Sequence, residues 1–136
     1  MIGIGVEITS LQVLQQKVLV APAKVTTLSV VPDESPTCKL LWVAAGHSGF
    51  TGTAAQFAMR HSSSGPILTE SDWNTAASSP HSIPWEANSV AGGSSTDLIA
   101  NGVEVSYNYY VVRYKNSIGN MGPISNCVSI WLDIAP

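Results

Sequence analysis

Apolar residues in this chain recur at every second position in short runs, and almost nowhere at the three-to-four spacing of a helix face. That period decides what the chain can build. Side chains at i, i+2 and i+4 line one side of an extended strand but scatter around a helix. The runs are bounded by Gly, Pro, Ser and Asn, the residues that turn a chain. Strands are predicted at 5–20 (as one strand or two), 24–31, 37–44, 54–61, 95–100, 105–115 and 125–132. Between them lie "VPDESP" at 31–36, "AAGHSGFTGT" at 44–53, "AGGSSTD" at 91–97 and a long connection at 62–84. About seven short strands at this spacing describe an all-β fold, a seven-stranded antiparallel β-sandwich.

Alternation also assigns faces. In "TCKLLWV" at 37–43, Cys38, Leu40 and Trp42 share one side, with Lys39 and Leu41 on the other. In "YYVVRYK" at 109–115, Tyr110, Val112 and Tyr114 oppose Tyr109, Val111 and Arg113. Both faces of the second run are apolar enough for a central strand, covered on one side and partly masked on the other. The connection from 62 to 94 carries Trp73 and Trp85. An exposed loop rarely keeps two indoles, so this stretch is expected to fold back over a sheet edge.

With 136 residues the chain suits one domain with a real core. Six Lys and Arg against nine Asp and Glu give a net charge of −3, and only 11% of residues are charged. No basic footprint for nucleic acid is present. Mean hydropathy is +0.20. A surface so poor in charge is kept soluble by Ser, Thr, Asn and Gly, or is hidden against partners, and the second reading is favoured. No apolar run reaches the length of a membrane span, so no membrane insertion is expected. "MIGIGVEITSLQVLQQKVLVAP" has neither a basic start nor an apolar block, so no signal peptide is visible. Cys38 and Cys127 fit no metal spacing. A bridge between them would close a long loop; the other reading is two buried thiols acting as small hydrophobes.

Read in order, "KVTTLSV", "CKLLWVAA", "AQFAMRHS", "GPILTESDWNTA", "STDLIANGVEVSYNYYVVRYKNSIGN" and "GPISNCVSIWL" resemble a fibronectin type III domain of bacterial or viral type. The resemblance runs from about residue 22 to 132. It implies an immunoglobulin-like sandwich over residues 22–136 and leaves 1–21 as an N-terminal extension. It also implies that Cys38 lies on the second strand and Cys127 on the last, in opposite sheets and facing inward as a candidate disulfide, although most domains of this family have none. Phe57 stands where the family has Tyr, Asn116 where it has Asp, and Tyr107 lies one place out of register with its corner tyrosine.

Catalytic and metal motifs are not legible. "GHSGF" at 46–50 has Phe50 where Gly-x-Ser-x-Gly requires glycine. His47, His61 and His81 share no ligand spacing. Glu70 and Asp72 read as a turn and cap around Trp73 in preference to a calcium site. Hence no catalytic residue, no metal and no cofactor is expected, and the protein is read as non-enzymatic. Trp73 and Trp85, with Tyr109 and Trp131, are candidate stacking aromatics for a sugar.

The extension "VEITSLQVLQQKVLV" at 6–20 is strand-like, with Val6, Ile8, Leu11, Val13, Val18 and Val20 as candidate assembly residues. Extended, fifteen residues span about 50 Å at about 3.3 Å each. That length could add a strand to a neighbour's sheet or to its own. The expectation is therefore a structural subunit partnered by copies of itself or other structural subunits, in a virion (capsid or tail decoration) or an extracellular filament. Met1 and the missing signal favour the virion. The alternatives are an adhesive or carbohydrate-binding module meeting a cell-surface glycan, and an accessory domain of a secreted enzyme.

Overall fold

The computed structural model describes residues 20–133. Seven strands and one short helix follow in the order β1 (Ser29–Pro32), β2 (Thr37–Val43), β3 (Gln56–Ser62), α1 (Glu70–Ala76), β4 (Ile83–Ala87), β5 (Ser95–Asn101), β6 (Ser106–Lys115) and β7 (Val128–Leu132). They form a three-stranded sheet, β1-β2-β5, and a four-stranded sheet, β4-β3-β6-β7. Every strand pairing is antiparallel. The predicted seven-stranded antiparallel sandwich is the fold observed.

The alternation in the sequence sets the packing. Cys38, Leu40 and Trp42 point from β2 into the space between the sheets and meet Met59, Tyr110, Val112 and Tyr114. Each fully buried Leu or Met contributes about 1.5–3 kcal/mol. The two large polar aromatics find partners inside. Trp42 Nε1 donates to the Tyr114 hydroxyl at 2.8 Å, so neither group is buried unsatisfied.

The set of strands differs from the reading in two places. The first predicted strand, 5–20, falls outside the described residues except for Val20. The seventh strand is instead β4, inside the long connection. Its Pro84 and the preceding "SSPH" read as turn, and an edge strand tolerates that proline. The strand expected at 24–31 pairs only from Ser29. Before it, the Val25 carbonyl accepts from Asn126 N at 3.2 Å, while the Asn126 side chain holds Leu28 N–H at 3.1 Å and Leu28 O at 2.9 Å. This segment crosses from one sheet to the other, so it cannot keep pairing with β2.

β6 is central, and it is covered on both sides. Its outer face, with Val111, sits beneath Ile67, Trp73 and Ala76 of the connection, joined by Trp85, Ile124 and Cys127.

Candidate functional site

The connection between β3 and β4 lies on the outer face of the four-stranded sheet because Thr69 starts a helix there. Thr69 Oγ1 accepts from Asp72 N at 3.1 Å, and the Asp72 carboxylate accepts from Thr69 N at 3.0 Å. This reciprocal cap satisfies two orphan amides. The backbone amides of Leu68 and Thr69 hold the Asp72 carboxyl below its ordinary range. Glu70 takes a different partner. Its carboxylate receives both terminal nitrogens of Arg113, at 2.8 and 2.6 Å, and that bond holds its pKa down. Both acids are thus engaged within the fold, as cap and ion pair.

Trp73 is buried, and cations occupy its ring. The Arg60 guanidinium lies 4.3 Å from its centroid and that of Arg113 5.3 Å. Trp85 packs beside it at 6.1 Å and carries Lys115 Nζ at 4.5 Å. Cation–π contacts of this kind hold α1 and β4 against the sheet. The expectation of a sugar platform at Trp73 is corrected here, since the residue is only 4% exposed. The sequence missed the two arginines. They stand on outward positions of two strands, with Arg113 opposite Ala58, and two indoles follow nearby. That combination was the available signal. Arg60 donates to Ile83 O at 3.0 Å and has no carboxylate partner among the described residues. Burial and Arg113 lower its pKa.

Beside this cluster is a cleft of ≈ 420 Å³ at the base of β3, lined by His61, Ser79, His81 and Val103 among others. Its hydrogen bonds are directional. Asn108 Nδ2 donates to Val103 O and Ser106 O, and its Oδ1 accepts from Val103 N. That oxygen therefore accepts from His61 Nε2 at 2.7 Å. The tautomer so assigned leaves His61 Nδ1 to accept from Ser79 Oγ, also at 2.7 Å. Burial lowers the His61 pKa and keeps the ring neutral. Asn108 bears no charge to stabilise an imidazolium, and His61 is 1% exposed. The chain of contacts ties the α1–β4 turn to the start of β6. No spacing in the sequence linked these three residues.

The two cysteines are free. The predicted disulfide is corrected. Val128, Ile130 and Leu132 face the inter-sheet core, so alternation turns Cys127 to the opposite, outer cluster. Cys38 remains inside, where its thiol meets the Tyr110 hydroxyl. Burial raises the pKa of both thiols.

The remaining aromatics separate. Trp131 pairs with Tyr107, not with Trp73, at 5.2 Å and in an edge-to-face arrangement; they are 46% and 55% exposed. Tyr109 is half-buried beside them. Of the candidate assembly residues, Val6, Ile8, Leu11, Val13 and Val18 lie outside the described residues. Val20 is described, and its carbonyl accepts from Asn116 Nδ2 at 3.0 Å and Asn120 Nδ2 at 2.7 Å. No helix among the described residues is long and apolar enough to cross a membrane.

No family model matches the chain, and no curated protein matches it. Solved structures do. One titled "Myokine structure" aligns with a TM-score of 0.53 at 13% identity, over 83% of this chain and 99% of that one. The FN1–FN3 domains of chicken CNTN1 align at 0.51 and 18% identity, and a run of titin domains at 0.50 and 12%, each over 84% of this chain. The chain spans 30% of the first and 33% of the second of these multidomain structures. It has a fibronectin-like β-sandwich fold. Fibronectin-like domains are often structural or adhesive modules, and this sandwich covers one outer face with α1 and the segment leading into it.

Proposed function

We propose that this fibronectin-like chain is a non-enzymatic assembly subunit, repeated on a virion surface or in an extracellular filament and joined to copies of itself or to other structural subunits. One observation carries the reading, the outer edge of β5. Four strands stand at sheet edges. β1 has four residues, β4 has five with Pro84 and a register shift in its pairing, and β7 has five. β5 runs seven residues in unbroken register, with Ile99 51% exposed and Asp97 its only charge. A long edge without proline, bulge or lysine invites a further strand. The strand-like segment at 6–20 suits that role, in its own copy or in a neighbour.

Light scattering on the full chain tests the reading. An assembled species that shrinks when Ile99→Glu is introduced, or when residues 1–19 are deleted, supports it. A strict monomer unaffected by either change sinks it. A second reading, adhesion to a glycan, rests on the exposed Tyr107–Trp131 pair. Glycan-array binding lost in Trp131→Ala would replace the first reading with this one.

A further inference from the structure

The two ends of the sandwich differ in charge. At one end lie residues 20–24, 44–52, 88–95 and 115–123, drawn together by contacts such as Gly49 N to Ala21 O, Gly92 N to Gly52 O and Asn116 Nδ2 to His47 O. These segments hold Lys24, Lys115 and a neutral His47 and contain no Asp or Glu; Glu86 and Asp97 stand just beyond them, with Asp97 paired to Lys39 at 3.5 Å. At the other end lie residues 31–37, 101–107 and 131–133, joined by Gly102 N to Pro36 O, Val105 N to Leu132 O and Ser35 Oγ to Asp133 O. These hold Asp33, Glu34, Glu104 and Asp133 and contain no Lys or Arg.

Both ends also expose apolar side chains. The basic end shows Phe50 (47% exposed), Ile118 (45%) and Met121 (46%). The acidic end shows Val31, Val103, Val105, Tyr107 and Trp131, each 39–55% exposed. Eight of the ten large exposed hydrophobics among the described residues thus sit at the ends, which is where a lone sandwich has least reason to put them. Val105 adds a separate observation. It is the only non-glycine residue with positive φ, 53°, among the described residues. A β-branched side chain is strained there, where Gly or Asn would fit. The strain holds an apolar group outward at the acidic end.

From these features we infer that copies of this chain stack end to end, the basic end of one on the acidic end of the next. The occupant of each end is a second copy, because the complementary partner for each surface is the other end of the same molecule. Such a contact is heterologous. It does not close on itself after two copies, and it produces a filament or a ring. This inference rests on the assembly reading and specifies its contact surface. The ten residues of β6 span about 33 Å at about 3.3 Å per residue, so with the end loops the axial repeat is about 40 Å.

The test uses the full chain, in a concentration series by sedimentation velocity with electron microscopy of the assembled material. Assembly is expected to weaken as salt rises. Glu104→Lys and Lys24→Glu should each weaken self-association about tenfold by setting like charges together. Mixing the two variants should restore it, because every junction in an alternating stack regains opposite signs. Val105→Asn should raise the melting temperature of the single copy while weakening association, a split that a purely structural residue would not give. If the chain assembles but neither end's variants alter it, while Ile99→Glu does, end-to-end stacking is overturned and the assembly reading stands. If the unaltered chain stays monomeric throughout, both fall.

Discussion

The Tyr110 hydroxyl, buried in the inter-sheet core beside the Cys38 thiol, donates to the Asn101 carbonyl at 2.7 Å. Burial pushes its pKa upward. Gly102 leaves the room this needs, since a Cβ there would stand 2.7 Å from the Tyr110 hydroxyl and 2.6 Å from Asn108 Oδ1. Tyr110→Phe should therefore cost about 1–3 kcal/mol of unfolding free energy by urea titration, because Asn101 O loses its donor. His61 gives a pH signature. Its folded pKa is lowered, so below about 6.5 the unfolded chain binds a proton that the folded chain resists. Stability from this group is full above about pH 6.5 and falls as pH drops toward the folded value. A melting-temperature series should show that decline in the natural chain, and a shallower one in His61→Gln. At this scale the sequence was half legible. Period alone put Cys38, Leu40 and Trp42 on one shared face, and the structure makes that face the inner one. The same rule gave Tyr110 its face but not its hydroxyl-to-backbone anchor, and Tyr107, the nearest match to the family's corner tyrosine, is exposed and packs edge-to-face on Trp131. Buried polar groups depend on partners from distant segments, and period carries no trace of those.

Among the elements, α1 and β4 are the part that reading along the chain did not produce. α1 has seven residues, too few for a helical stripe, and only Trp73 and Ala76 mark its inner side. Intrinsic propensity cannot hold so short a helix, so its cap and its tertiary contacts must. Thr69→Ala should cost about 1 kcal/mol of stability in chemical denaturation. Trp73→Ala should cost about 3–5 kcal/mol, since it empties a packed site and leaves Arg60 and Arg113 without the ring they share. Near-ultraviolet circular dichroism should lose the Trp73–Trp85 signal in that variant while β-sheet content in the far ultraviolet is kept. The expectation that 62–94 folds back over a sheet edge was met in substance, because two indoles in a connection demand cover. What they cover was set by the outward arginines, and that pairing exists only after β3 and β6 come into register.

For the whole molecule, the order of every described strand but β4 was legible from the alternating runs and their turns, and the resemblance to fibronectin type III domains agrees with the fold. The disulfide was not legible, because one residue of register decides which side of β7 Cys127 takes. Reducing agent should leave the melting temperature unchanged, and thiol labelling of the denatured, unreduced chain should reach both cysteines. A last property follows from where Val20 and Asp133 are held. Val20 is held at one end by Asn116 and Asn120, and the Asp133 carbonyl is held at the other by Ser35. Between them β1 and β7 run the same way, each against an antiparallel neighbour. A tensile load applied through the two ends would act along the strands. The hydrogen bonds of β1 with β2 and of β6 with β7 would then be sheared together, not peeled one at a time. Rupture in that geometry requires many bonds to fail at once, so the sandwich should be stiff in the direction in which a string of copies would be pulled.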